Sequence, residues 1–200
     1  MSDSVRAAPK NIDARALRTR QLLAEALMSL GAARGVDDLD VCELVEEAGV
    51  ARSTFYAHYA GKDDFLVRSF VNMIAATEAA RERYPEREDL LPSWSLFQHV
   101  YEARDFARRA ARAEVFPAQM AAGEAKLREI VEANLARVKP EWTRDRRRET
   151  AVYVAAGFIG LLRWWLESGL KRAPDEMQAA FVRLTKTAME ANVGCYPSAV

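Results

Sequence analysis

Apolar residues in this chain recur every three or four positions, which is the spacing of one face of an α-helix. Leu23, Ala26, Leu27 and Leu30 show the pattern near the start of the sequence. No segment alternates apolar and polar residues as a half-buried strand does. Half of the 200 residues are hydrophobic and only 9 are Gly, a composition that favours helix and excludes global disorder. We therefore predict an all-α fold of about nine helices.

Helix-breaking residues and changes of polarity divide the chain into three parts. Residues 1–13 are polar and without periodicity, so we expect a flexible N-terminal arm. Residues 14–61 are expected to form a small domain of three helices, and residues 62–200 a larger helical domain. Within the larger domain, helices are predicted from 62 onward, at 94–113, at 142–168 and from Pro174 onward. A further helix is predicted to follow Gly123 and to end near 138, with Pro117 disrupting the segment before it.

The charge balance and the rare residues exclude several classes of protein. The chain has 29 basic and 29 acidic residues, so a uniformly basic nucleic-acid-binding surface is excluded, although a local basic face is not. The two Cys and two His lack the spacing of a zinc site, so we expect no metal and no cofactor. We find no nucleophile–base pair and no phosphate-binding loop, and therefore expect a protein that is not an enzyme.

Two features of the sequence bear on where the protein resides. The N-terminus has no apolar core of the kind that secretory signals contain. The longest uncharged run, residues 150–162, has 13 residues, whereas a bilayer span needs about 20. We therefore expect a soluble, cytoplasmic protein with no membrane partner.

Residues 40–59 carry the pattern of a helix-turn-helix, two short helices joined by a tight turn. Asp40 and Glu43 have the spacing of a capping box that opens the first helix. Gly49 suits the turn, since a left-handed backbone conformation costs little only for Gly. The second helix is expected to expose side chains that donate to DNA bases or phosphates: Arg52, Ser53, Thr54, Tyr56 and His58.

With these motifs, residues 19–65 resemble the DNA-binding domain of TetR-family transcriptional regulators. The matching segments are TRQLLAEAL and LVEEAGVARSTFYAHYAGKDDF. The resemblance implies that Tyr56, His58 and Lys62 bind DNA phosphates and that Arg52, Ser53 and Thr54 lie near base edges. The sequence departs from the family pattern at Ala51, where a Ser that caps the recognition helix is usual, and at Val45 and Cys42.

Aromatic residues are frequent between 94 and 164, and the plain expectation for each one is a place in the core. The resemblance implies that helices in this region surround a ligand cavity. We therefore expect some of them to bind a mostly apolar small-molecule effector. The candidate ligand-binding residues are Trp94, Phe97, His99, Tyr101, Phe116, Met120, Tyr153, Phe158 and Trp164.

The helix predicted at 142–168 is apolar on more than one face, which requires burial on two sides. A single small core covers one face, so the other is expected to contact a second subunit. The sequence alone leaves open which face that is. The candidate residues of a homodimer interface are Gly157, Gly160, Trp164, Met177, Phe181, Leu184 and Ala188.

Together these patterns predict a homodimeric, ligand-responsive transcriptional regulator, and specifically a repressor that a small molecule releases from a palindromic, double-stranded DNA operator. Two alternatives remain open. The second domain of such a helix-turn-helix protein would have a solid core without a cavity if it bound a protein partner. An enzyme with a helical fold is the other alternative.

Overall fold

The computed structural model describes residues 10–81 and 90–191, apart from the side chains of 10–13, 187, 188, 190 and 191. Within these ranges the chain forms nine α-helices and no strand, which confirms the predicted fold class. The helices are α1 (Lys10–Arg34), α2 (Val41–Glu47), α3 (Arg52–His58), α4 (Lys62–Ala79), α5 (Ser93–Glu102), α6 (Arg104–Ala110), α7 (Phe116–Val138), α8 (Arg144–Glu167) and α9 (Pro174–Ala191).

The first three helices and the start of α4 enclose one hydrophobic core, and we call this part the N-terminal domain. Its centre is a cluster of three rings, in which the centroid of Phe65 lies 5.6 Å from that of Phe55 and 4.9 Å from that of Tyr59. Leu23 and Leu27 of α1 complete the same core. Burial of these side chains holds α3 at a fixed angle against α1, because the interior is close-packed.

Local signals in the sequence set the ends of α2 and the turn that follows it. The Asp40 side chain accepts a hydrogen bond of 2.9 Å from the Cys42 backbone N–H, and the Asp40 N–H donates to Glu43 at 3.1 Å. The predicted capping box is therefore present. Gly49 adopts a φ of 63°, the left-handed turn expected between α2 and α3.

The remaining helices form the C-terminal domain around a second core. The long helices α7 and α8 pack against each other, with α4 across α7 and α9 against α5 and α8. Aromatic rings lie at the centre: Phe97 is 4.9 Å from Phe158 and 5.5 Å from Trp165 between ring centroids, and Phe158 is 5.5 Å from Phe181. No helix in the described ranges is both long enough and apolar enough to cross a bilayer.

Several helix boundaries differ from those that the sequence predicted. The first helix begins at Lys10, so residues 10–13 of the expected arm are helical. The helix predicted at 94–113 is divided at Ala103 into α5 and α6, because α5 packs on α9 whereas α6 packs on α1.

The two expected breaks at the start of α7 are also absent. Pro117 lies in the first turn, where the missing N–H costs nothing, so it starts the helix instead of disrupting it. The helix continues through Gly123, which is buried against the ring of Phe70 on α4. A side chain at this position would occupy the space of that ring.

The turn between α6 and α7 reaches from the C-terminal domain into the N-terminal core. Ala113 and Val115 are buried with the residues of the small domain. The backbone N–H of Glu114 donates to Asp37 at 3.3 Å, and the Gln119 side chain donates to the Leu66 carbonyl at 3.1 Å. The two domains are therefore joined by buried contacts as well as by the continuous helix α4.

Candidate nucleic-acid interface and effector cavity

Helix α3 is anchored by one face and presents the other to solvent. Phe55 is fully buried, whereas Arg52, Ser53 and Tyr56 are exposed. Two further residues predicted to bind DNA, Thr54 and His58, are half-buried on the flanks. The structure thus places the predicted residues of this helix on and beside one exposed face.

Arg52 and Tyr56 lie one turn apart on that face and contact each other. The guanidinium carbon of Arg52 is 5.6 Å from the centroid of the Tyr56 ring. A hydrogen bond from the Arg52 guanidinium to the Tyr56 side chain is the main cause that raises the pKa of Arg52 above its ordinary value. The contact restricts both side chains without covering them, which favours a defined geometry on the exposed face.

Arg68 on α4 stabilises the end of α3, although it is not among the residues predicted from the sequence. Its guanidinium donates to the His58 carbonyl at 2.7 Å and lies 5.1 Å from the Tyr59 ring centroid. It also lies 3.5 Å from Asp64, one turn earlier on α4. Burial raises the pKa of the Tyr59 hydroxyl, so this ring stays neutral beside the arginine. The only indication of this contact in the sequence was that Asp64 and Arg68 lie four positions apart, the spacing of an ion pair on one face of a helix.

Lys62 stands at the start of α4 and is held by the N-terminal domain. Its ammonium group donates to the backbone carbonyl of Asp37 at 2.5 Å. The side chain is half-buried, in contrast to the exposed Arg52. This contact fixes one positive charge beside the turn that joins α1 to α2.

A cavity of about 1260 Å³ lies between the two domains, and α4 runs along it. Four of the nine predicted ligand-binding residues line it: Trp94, His99, Phe116 and Met120. Trp94 is oriented by a hydrogen bond of 2.7 Å from its indole N–H to Asp175. Helix α1, for which no ligand contact was predicted, also lines the space with Leu17, Ala24 and Met28.

The other five predicted ligand-binding residues do not line this cavity. Phe97 and Phe158 are buried against each other in the core, and Tyr101 stacks on Trp165 with ring centroids 6.1 Å apart. Tyr153 and Trp164 are 51% and 46% exposed on the outer face of α8. Helical periodicity cannot distinguish core, cavity-lining and outward-facing residues. It shows which residues share one face of a helix, but not whether that face contacts the core, a cavity or solvent.

His99 is the imidazole at the mouth of the cavity. One side of its ring is open to solvent, but the surrounding protein lowers its pKa below the ordinary value of histidine. Burial is the larger cause, since it disfavours the charged form, and the nearby carboxylate of Glu102 opposes it. The cavity therefore favours a neutral imidazole, which donates one hydrogen bond and accepts another.

The outer face of α8 and the adjoining part of α9 are apolar and uncovered. Val152, Tyr153 and Trp164 of α8 and Leu184 of α9 are each about half exposed. Between the two helices runs a groove of about 330 Å³. A Cβ atom added at Gly157 or Gly160 would meet nothing within 4 Å, so the backbone of α8 is open to close approach there.

Two residues predicted for the dimer interface are not part of this face. Met177 and Phe181 are 0% and 6% exposed, because this stripe of α9 packs into the core of its own subunit. The prediction that Met177 and Phe181 belong to a dimer interface is therefore wrong for this subunit, since both pack within it. The last residue of that stripe, Ala188, lies outside the side chains that the structure describes.

No three His, Cys, Asp or Glu side chains in the described part of the chain are grouped so that they could hold a metal ion. Cys42 is exposed at the start of α2 and is not part of a disulfide.

Comparison with known proteins gives a family match for the N-terminal part of the chain. Residues 22–68 match the family model described as bacterial regulatory proteins, tetR family. No curated protein matches the chain by sequence.

Solved structures share the fold at low sequence identity. The dihydroxyacetone kinase operon activator DhaS is 15% identical over 86% of this chain and 97% of its own, with a TM-score of 0.66. FadR from Thermus thermophilus, a TetR-family transcriptional repressor in complex with lauroyl-CoA, is 18% identical over 90% and 98%, with a TM-score of 0.61. FadR from Bacillus subtilis in complex with stearoyl-CoA is 14% identical over 82% and 96%, with a TM-score of 0.55. Residues 22–68 therefore carry the helix-turn-helix domain that the tetR family model describes, and a larger helical domain follows it.

Proposed function

We propose that this protein is a homodimeric, sequence-specific repressor that leaves a palindromic DNA operator when a small molecule binds between its domains. The observation that carries the proposal is the exposed face of α3, with Arg52, Ser53 and Tyr56 held over a rigid aromatic core. A recognition helix of this kind fits the major groove of B-DNA.

On DNA, the residues of α3 and the start of α4 divide into two roles. Arg52, Ser53 and Thr54 lie at the N-terminal end of α3 and face base edges, where arginine and hydroxyl side chains distinguish base pairs. Tyr56, His58 and Lys62 contact phosphates and fix the register of the domain on the duplex. The anchored position of Lys62 supports this role, since its charge is held at one place beside the turn.

The dimer forms through the outer face of α8 and α9. The exposed Tyr153, Trp164 and Leu184 supply apolar area, and Gly157 and Gly160 allow a second helix to approach closely. A two-fold axis through these helices presents two copies of α3 to successive major grooves, whose centres are about 34–36 Å apart. The operator is then an inverted repeat.

The effector occupies the cavity beside α4. Its volume of about 1260 Å³ supports a small ligand rather than the protein-partner alternative, which predicted a solid core. The related folds with lauroyl-CoA and stearoyl-CoA support an effector with a long apolar part. A preference of about 1–3 kcal/mol for the conformation that does not fit DNA is enough to lower operator affinity 5- to 150-fold.

Selection of DNA from a random pool tests the proposal and identifies the operator sequence in the same experiment. The full-length protein is incubated with random duplexes, bound duplexes are separated on gels, and the enriched pool is sequenced. We expect an inverted repeat with half-sites about one helical turn apart. A pool without an enriched sequence after repeated rounds would refute sequence-specific binding.

The same selection with variants assigns the recognition residues. Arg52→Ala is expected to relax the preference at one position in each half-site, because a bidentate arginine contact is worth about 1–3 kcal/mol of discrimination. Arg128→Ala, which removes an exposed arginine from α7, is the matched control and should enrich the wild-type sequence. An unchanged motif with Arg52→Ala would place base recognition elsewhere.

A further inference from the structure

The wall of the effector cavity includes the N-terminal domain itself. Helix α1 contributes the apolar side chains of Leu17, Ala24 and Met28 and the polar side chains of Arg20 and Gln21. We propose that α1 is part of the effector site, so that an elongated amphipathic effector lying along α4 touches the DNA-binding domain directly. This inference rests on the proposed function and specifies the ligand class and the first step of its action.

The shape of the cavity sets the length of such an effector. Along α4 and its C-cap, lining residues run from Leu66 to Ala80, a distance of about 21 Å at 1.5 Å per residue. The lining of α1 runs from Leu17 to Met28, which corresponds to about 17 Å. A compact molecule of one or two rings would fill only part of this space. A long chain can reach both the lining residues of α1, which we call the α1 wall, and the aromatic ring of Phe116 on the inner side.

The chemistry of the wall sets the polarity of the effector. Phe70, Met73, Phe116, Met120 and Leu166 make the inner part of the wall apolar. The exposed rim is polar on both sides, with Arg20, Gln21 and Glu25 on α1 and His99 and Glu102 on α5. Because both signs of charge line the rim, it suits a hydrogen-bonding end group without selecting one sign. The ligand class is therefore a long apolar molecule with one polar end.

Besides lining the cavity itself, α1 contacts another helix that lines it, α6. Phe106 of α6 lines the cavity and also packs against Gly31 of α1. The fit is close, since a Cβ atom at Gly31 would lie 2.6 Å from Cε2 of the Phe106 ring. Leu27 of α1 both lines the cavity and shares a core with Phe55 of the recognition helix. One helix thus separates the effector from α3.

Hydrogen–deuterium exchange on the wild-type protein tests the α1 wall directly. We use 1-decanol as the probe, because it has a ten-carbon chain and one uncharged polar end. Peptides that cover residues 17–28 of α1 and 66–80 of α4 should both exchange at least three-fold more slowly with saturating decanol. Slower exchange in the C-terminal domain with α1 unchanged would overturn the proposal, and so would the absence of any decanol binding.

A pair of matched variants provides the second test. Ala24→Trp fills the α1 side of the cavity, whereas Ala33→Trp adds the same ring at an exposed position of α1 outside the cavity lining. Binding is measured with the fluorescence of N-phenyl-1-naphthylamine and its displacement by decanol. Ala24→Trp should weaken decanol binding at least ten-fold while Ala33→Trp leaves it unchanged. If both variants had the circular dichroism spectrum of the wild type and bound decanol with equal affinity, the proposal that α1 is part of the effector site would be refuted.

These outcomes are independent of the DNA selection. Should Ala24→Trp fail to fold, the exchange experiment on the wild-type protein still decides the proposal. A protein that enriches an operator but shows no decanol effect on α1 keeps its proposed DNA-binding function and loses this effector site. The reverse result would retain the effector site and remove the proposed operator.

Discussion

Lys62 has one structural role and one proposed role in DNA binding, and substitutions of this residue can separate the two. Its ammonium group donates to the Asp37 carbonyl, and we propose that its charge also attracts a DNA phosphate. Lys62→Ala should weaken binding to all duplexes by a similar factor and reduce the slope of log K against log salt by about one unit.

Loss of the hydrogen bond to Asp37 should also cost about 0.5–1.5 kcal/mol of stability, so thermal denaturation accompanies the binding titrations. Lys62→Arg is the control, because it keeps the charge and should keep the salt slope. An unchanged slope in Lys62→Ala would show that the lysine serves the fold alone.

His99 provides a pH-dependent signal from the cavity. Burial lowers its pKa below the ordinary value of about 6.5, so the folded protein binds this proton less readily than the unfolded chain. The contribution of His99 to stability is therefore complete above pH 6.5 and decreases as the pH falls through that value towards the folded pKa.

Proton NMR can follow both imidazoles, since the chain has two histidines, and His99→Gln assigns the resonance. We expect the midpoint of His99 below 6.5. We also expect it to fall further with decanol bound, because the ligand removes more water from the ring. A midpoint at or above 6.5 in the free protein would contradict the dominant effect of burial on this imidazole.

At the scale of helices, the contact between α1 and α6 is tested by Gly31→Ala. In an open helix this change stabilises by about 1 kcal/mol. Here the new Cβ atom would meet two atoms of the Phe106 ring, at 2.6 and 2.8 Å. Overpacking costs about 1–3 kcal/mol, so we expect net destabilisation in urea denaturation.

A double-mutant cycle gives this prediction its control. Phe106→Leu replaces the ring that causes the clash with a smaller side chain. In that background Gly31→Ala should therefore lower the free energy of unfolding by less, with a coupling energy of at least about 0.5 kcal/mol. Additive effects of the two substitutions would mean that the ring moves away freely and that α6 does not restrain α1.

The helices that the sequence predicted well are those set by local signals. The ends of α2 follow from Asp40 and Glu43, and the turn before α3 follows from Gly49, since each depends on residues within one turn. The exposed face of α3 was predictable for the same reason. Family resemblance added the roles of these residues, which periodicity does not contain.

The elements that the sequence predicted poorly depend on distant contacts. The break at Ala103 and the continuation of α7 through Gly123 are set by packing on α1, α9 and α4. Phe97 and His99 lie two positions apart, yet one is in the core and the other lines the cavity. The cavity brings α1 together with residues as distant in sequence as Leu166, so no local pattern could indicate the part that α1 plays in it.

At the scale of the whole molecule, the domains share side chains instead of meeting at a polar linker. Ala113 and Val115 of the second half of the chain are buried in the N-terminal core, and Gln119 donates to the carbonyl of Leu66 on α4. Because a packed core resists gradual deformation, a displacement of α6 or α7 must shift the N-terminal domain as a unit. This arrangement supports an effector that changes the distance between two recognition helices in the dimer.

In the proposed dimer, the substitution Gly160→Arg is expected to prevent assembly without preventing folding. Gly160 is exposed on α8, and a Cβ atom there would meet nothing within 4 Å, so a single subunit has room for the arginine. In the dimer the same side chain would place bulk and an unpaired charge between two closely packed helices, and burying such a charge costs several kcal/mol.

We therefore expect monomers in analytical ultracentrifugation, with circular dichroism and cavity binding like those of the wild type. Binding to the selected operator should fall steeply, since one half-site supplies a fraction of the contacts that two provide together. Ala136→Arg adds the same side chain at an exposed position of α7 and should remain dimeric. If Gly160→Arg also remained a dimer with normal operator affinity, the two-fold axis could not pass through this face of α8, and the exposed Tyr153 and Trp164 would need another explanation.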